Sequence, residues 1–206
     1  MKMKKNTIQL IHIIILVIIL TFNCCAKLPG ANKPPIFASV SNFIKKLPNE
    51  LSGLSKGKIT DFERDCPGCG YGVSYSGDCF DDCLILSIYV YDKQIPYIPN
   101  EITNEIVVNE FKNVASRLIE IYSKDGSEVH DYTDGKVIEQ VNQKIWFMEM
   151  ELITDGFKRY SVLGITAFKG KFFKFRITTP INESGTHKSR VNKIIQDIAN
   201  NILTTP

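Results

Sequence analysis

Between Trp146 and Thr179 three runs rich in β-branched and aromatic residues follow one another closely, at 146–153, 160–168 and 171–179. Asp155-Gly156 and Lys169-Gly170 stand between them as turn signals. Connections this short close hairpins, whereas a parallel pair needs a crossover of a dozen or more residues. The three runs therefore pair antiparallel, and a doubly wound parallel sheet is excluded. Whatever else the chain does, it is built around a sheet of hairpins.

The rest of the pattern adds to that sheet. Residues 53–65 and 70–75 read as strands, and 84–91 (Leu-Ile-Leu-Ser-Ile-Tyr-Val-Tyr) as a third. Residues 137–141 supply one more, for a total of six or seven. Three helices accompany them. The first spans 37–47 and stops at Pro48. The second starts at a Thr103 cap, places Ile106, Val107, Phe111, Val114, Leu118, Ile121 and Tyr122 at spacings of three and four, and ends at Asp125-Gly126. The third starts at Ser184 or Thr186 and sets Val191, Ile194, Ile195, Ile198 and Ile202 on one side. Strands, helix, four strands, helix is an α+β layout, a mostly antiparallel sheet with helices packed against it.

This order of elements resembles the PsbP-like fold, an antiparallel sheet held between helices and common in small exported proteins. The segment 165–178, Ile-Thr-Ala-Phe-Lys-Gly-Lys-Phe-Phe-Lys-Phe-Arg-Ile-Thr, looks like the late hairpin of that group. The resemblance covers about residues 36–204. It implies a fold and no activity, because members of the fold differ in role.

The N-terminus points to export. Lys2, Lys4 and Lys5 precede an apolar block from Ile8 to Phe22. A positive start and an apolar block of this length are what a secretory signal needs; a transmembrane span wants roughly 20 apolar residues. The alternative is an uncleaved anchor. The block ends Leu20-Thr21-Phe22-Asn23-Cys24-Cys25-Ala26, which resembles a bacterial lipoprotein signal with Cys24 as the lipidated first residue. Thr21 and Asn23 stand where that pattern has Leu and a small residue. Ordinary cleavage nearby is the alternative. The expected organisation is a signal over 1–23, a tether over 24–35 and a single domain over 36–206. The resemblance implies a palmitate-bearing membrane anchor facing the periplasm or the outside.

The chain carries 25 basic and 22 acidic side chains, and three of the lysines lie in residues 1–23, so the exported part is neutral. A basic face for nucleic acid is therefore not expected. The charge is uneven: residues 78–155 hold 16 acids and 6 bases, residues 156–206 hold 2 acids and 9 bases. The two regions complement each other on folding. The sharper alternative is a basic face around Lys169, Lys171 and Lys174 that meets anionic headgroups.

Four cysteines remain in the domain, as Cys66-Pro67-Gly68-Cys69 and Cys79-Phe80-Asp81-Asp82-Cys83. An exported chain meets an oxidising compartment, where such cysteines pair. The strand between the two pairs holds them roughly 23 Å apart at about 3.3 Å per residue, which favours the local bridges Cys66–Cys69 and Cys79–Cys83. Zinc held by all four cysteines is one alternative and needs the pairs brought together. Thiol-disulfide exchange through Cys66 and Cys69 is another. It lacks the helix N-terminus that lowers a thiol pKa, and Asp65 opposes a thiolate.

Other chemistry is sparse in the sequence. His130 with Asp131 and Asp134 would make a metal cluster, though a histidine in a polar loop is more often solvated. His187 is the other histidine of the domain. Gly68, Gly70 and Gly72 are not followed by a helix that would present a phosphate site. Asp78, Asp81 and Asp82 lack the rest of a calcium loop. Trp146 and Phe172, Phe173 and Phe175 read as core or sheet surface. No catalytic residue, cofactor or metal is assigned. The expectation is a non-enzymatic, lipid-anchored envelope protein that binds an envelope protein partner, with a thiol-disulfide protein or a zinc-stabilised domain as alternatives.

Overall fold

The computed structural model describes residues 36–77, 84–130, 132–141, 143–181 and 185–204. Helix α1 (Ile36–Lys46) is followed by strands β1 (Glu50–Leu51), β2 (Leu54–Asp61), β3 (Tyr71–Ser76) and β4 (Ile85–Tyr91), then helix α2 (Glu105–Lys124). Strands β5 (Glu128–His130), β6 (Lys136–Gln140), β7 (Gln143–Thr154), β8 (Phe157–Phe168) and β9 (Lys171–Pro180) come next. Helix α3 (Thr186–Ile198) closes the chain and runs into a π turn, Ala199–Leu203.

All the strands join one antiparallel sheet in the order β1-β2-β3-β4-β9-β8-β7-β5, with β6 also on β7. The α+β class and the hairpin logic hold. Among the described residues the sheet has nine strands rather than six or seven. The two additions, β1 and β5, are two and three residues long, too short to leave a periodicity in sequence. The cap of α2 is Asn104, whose side chain accepts from the Ile106 N–H at 3.0 Å, and not Thr103. Strand β2 stops at Asp61 because Phe62 turns back, its N–H donating to the Gly70 carbonyl at 3.0 Å. α3 starts at Thr186; Ser184 lies outside the described residues.

Alternation assigns each residue of a strand to one of two faces. On the first face Leu86, Ile88 and Val90 of β4 and Phe173, Phe175 and Ile177 of β9 join Ile44 of α1 and Ile194, Ile195 and Ile198 of α3 in the larger core. Most are under 2 % exposed, and each such side chain contributes roughly 1.5–3 kcal/mol. Gly164 of β8 lies opposite Phe175, and a Cβ there would stand 2.0 Å from the ring, so only glycine lets that ring fill the layer. The second face is covered by α2, whose Phe111, Leu118 and Tyr122 pack on Met148, Met150, Leu163 and Ile165 of β7 and β8. Trp146 stacks on Phe111 at 5.3 Å and donates to the Ile102 carbonyl at 2.8 Å, half-buried against the edge of this cluster.

Candidate functional site

Helix α2 reaches over β7 and β8, and beside it the second face changes character. β4 presents Ser87, Tyr89 and Tyr91 there, and β9 presents Lys174, Arg176 and Thr178. Ser74, Ser87, Arg176 and Leu163 lie abreast across β3, β4, β9 and β8. Gly72, Tyr89, Lys174 and Ile165 form the adjacent row. Phe62 covers Gly72, its ring 6.3 Å from that of Tyr89.

The groups in these rows are charged and largely buried. Lys174 is 8 % exposed. Its ammonium lies 4.3 Å from the centroid of Tyr89 and 5.5 Å from that of Tyr91. Burial pushes it down to about 8, with Glu110 pulling up and Lys93 adding to the fall. Arg176 sits 4.9 Å from the Tyr122 ring and donates from Nε to Ser161 Oγ at 3.4 Å; burial lowers it to about 10. Glu110 of α2 is 4 % exposed and already engaged. It accepts from the Tyr91 hydroxyl at 2.8 Å and pairs with Lys93. Burial, then the Glu110 charge, raise Tyr91 well above the ordinary tyrosine range. The electrostatic content is three cations against one committed acid.

The loop that carries Cys66 and Cys69 props up one end of this cluster. The two cysteines are joined, with Cα atoms 5.4 Å apart, an ordinary disulfide separation. Glu63, 3 % exposed, turns inward and accepts from the amides of Gly68 (3.0 and 3.1 Å) and Gly70 (2.6 Å). The Gly68 carbonyl accepts from Asp92 N and Lys93 N at 3.3 and 2.8 Å. At Gly70, φ is +69° and a Cβ would stand 1.8 Å from the Val90 oxygen, so the close approach needs glycine. This docking holds Lys93 itself at a positive φ of 54°, beside Glu110. On the first face Asp92 pairs with Lys171 at 2.5 Å, both less than 9 % exposed.

The sequence-marked residues fall out as follows. Cys66 and Cys69 are bonded to each other, and neither is a thiolate in this state. Cys24, Cys79 and Cys83, and the acids Asp78, Asp81, Asp82 and Asp131, lie outside the described residues. His130 is exposed and 3.0 Å from Glu128. His187 is buried against Tyr160, ring centroids 5.3 Å apart. No group of three or more metal-ligating side chains occurs among the described residues. A basic face of Lys169, Lys171 and Lys174 does not form. Lys171 and Lys174 point to opposite faces of β9 and both are buried, because an odd sequence separation reverses the side in a strand.

Lys174, Arg176 and Glu110 were not singled out as a set from the sequence. The signal was present in Phe172-Lys174-Arg176, where two cations two residues apart interrupt an apolar strand on the same side. Two clefts flank the β8–β9 turn, of about 560 and 450 Å³, and share Phe168 and Lys169.

No family model and no curated protein matches the sequence. The chain is similar to the solution structure of cyanobacterial PsbP (CyanoP) from Synechocystis sp. PCC 6803. The two are 13 % identical with a TM-score of 0.46, over 82 % of this chain and 98 % of that one. The likeness concerns the fold alone.

Proposed function

We propose that this chain is an exported envelope protein, held to a membrane by a lipid on Cys24, whose domain binds an envelope component and does not transform it. The observation that carries the binding reading is the division of roles among the buried charges. Glu63, Asp92 and Glu110 are each committed to a partner within the fold. Lys174 and Arg176 make no ion pair among the described residues. A carboxylate already tied to amides or lysines is a poor general base, since using it breaks the scaffold. Cations without a counter-ion among the described residues are groups suited to hold a ligand. The export reading is supported by residues 1–23 and by the Cys66–Cys69 bridge, since disulfides persist in oxidising compartments. That bridge is read as structural, because the loop it closes docks β4 and is lined by the Glu63 carboxylate.

The test is metabolic labelling of the full chain with a palmitate precursor, followed by intact-mass measurement of the processed protein. Label on the wild type that disappears in Cys24→Ser is expected, with a mass that starts at Cys24. An unlabelled protein of plain cleaved mass overturns the anchor.

A further inference from the structure

We propose that Lys174 and Arg176 together hold a small oxyanion, a carboxylate or phosphate group, on the second face of the sheet beside α2. The inference deepens the binding reading above and rests on it.

The starting point is an imbalance. Within the cluster Lys93, Lys174 and Arg176 face one acid, Glu110, which is already bound to Lys93 and Tyr91. Among the described residues two positive charges are in excess. A buried charge without a counter-ion is expensive, and folds keep one where it is paired or serves a ligand. Lys174 is 8 % exposed, its stem buried while its ammonium keeps access to the surface, and it makes no ion pair among the described residues. The rings of Tyr89 and Tyr91 attract it, but a cation–π contact offsets only part of what burial of the charge takes away.

The geometry suits one anion. Lys174 and Arg176 are two apart on β9, so both rise from the same face within reach of a common point. Tyr122 lies against the guanidinium and fixes its plane. A planar fork of donors next to a point-charge ammonium is the arrangement that carboxylates and phosphates accept. The row beside Arg176 carries the hydroxyls of Ser87 and Ser74. Glu110 repels a second acid from the α2 side, so the ligand is directed toward Arg176. The burial of Lys174 sets the size: a small group reaches it, a broad protein surface does not.

The experiment follows thermal unfolding of the full processed protein in inorganic phosphate and in succinate, against chloride at matched ionic strength. The wild type is expected to gain several degrees in Tm in at least one oxyanion. Lys174→Met is expected to raise Tm in the absence of oxyanion, since it removes a buried unpaired charge, and to abolish the gain. Arg176→Gln is expected to weaken the apparent affinity at least tenfold.

Failure of the wild type to respond, or a response that survives in Lys174→Met, overturns the proposal. So does a fall in oxyanion-free Tm in Lys174→Met, because the ammonium would then be a net stabiliser held by its rings. Vesicle flotation separates the source of the oxyanion. Binding to phosphatidylglycerol but not phosphatidylcholine vesicles, lost in Arg176→Gln and without any response to free anions, assigns the site to a headgroup and overturns the small-ligand form. The two readings fail separately. Turnover of a bound anion leaves this inference standing and removes the non-enzymatic one; absence of anion binding leaves the lipid label unaffected.

Discussion

Strands β4 and β9 build both faces of the sheet from alternate residues, and the two faces are held in different ways. On the first, Leu86, Ile88, Val90, Phe173, Phe175 and Ile177 meet α1 and α3 in a layer of aliphatic and aromatic side chains. On the second, the residues in between are Ser87, Tyr89, Tyr91, Lys174 and Arg176, beside α2. Apolar burial is non-directional and scales with area. Charges and hydroxyls are directional, titrate, and leave gaps where their partners are missing. The same two strands thus supply bulk apolar burial on one side and directional, titrating groups on the other. The difference lies in nothing more than the parity of position along the strand.

The largest expected effect tests the first face. Phe175→Ala opens a cavity against Gly164 at a fully buried position and should cost about 3–5 kcal/mol. Urea unfolding would show it as a lower midpoint at unchanged slope. The loss should be the same at pH 6 and pH 9, because the layer around Phe175 works through area. A strongly pH-dependent loss would mean that the two faces share their energetics.

The second face is tested by titration. Lys174 faces Tyr89, Tyr91, Glu110, Lys93 and Arg176, and burial lowers its pKa from 10.5 to about 8. The unfolded chain therefore holds this proton more tightly than the folded one. Below about pH 8 both states are charged and the full penalty is present. Between about 8 and 10.5 the folded state sheds its proton first, so unfolding takes up a proton and stability rises with pH. Relative to Lys174→Met, the wild type should gain roughly 2–3 kcal/mol across that window. Arg176, lowered to about 10, adds the same sign at the upper end, so the slope between pH 8 and 9.5 is the diagnostic part. A flat difference between the two proteins would place the Lys174 ammonium in solvent.

This contrast explains what could be read from sequence. The hairpins of β7, β8 and β9 were legible because Asp155-Gly156 and Lys169-Gly170 are local signals, with φ of 52°, 78°, 51° and 72° at the four residues. The apolar face was legible as a periodicity in 84–91 and 171–179. The edge strands β1 and β5 exist through pairing with β2 and β7, and two or three residues carry no pattern of their own. The charged cluster was only half legible. Lys174 and Arg176 share a side by parity, but Glu110 comes from α2, and its meeting with Tyr91 and Lys93 is set by tertiary packing. Grouping Lys171 with Lys174 failed for the same reason that grouping Lys174 with Arg176 would have succeeded. The Cys66–Cys69 bridge was legible from spacing and compartment. The inward turn of Glu63 onto Gly68 and Gly70 was not, since an acid beside Arg64 and Asp65 reads as surface.

The smallest of these effects separates the helices that cover the two faces. α3 begins at Gly185 with φ of 68° and no side-chain cap bond, and is held by Val191, Ile194, Ile195 and Ile198 on the first face. α2 begins at Asn104, whose side chain caps Ile106 N and whose carbonyl accepts from Val107 N and Val108 N at 3.0 Å. The first face thus starts its helix without a side-chain cap from Gly185, while the second starts its helix with the Asn104 cap. Asn104→Ala should therefore cost about 1 kcal/mol, and Asn104→Ser much less. Amide hydrogen exchange is the sharper measurement. The first turn of α2 should exchange faster in Asn104→Ala while the amides of α3 keep wild-type rates, because a cap acts within its own turn. Glu110 sits beyond that turn, so its hold on Tyr91 and Lys93 should be unchanged. If the α3 amides accelerate to the same extent, the cap is coupled to global unfolding and the two faces are one cooperative unit rather than two.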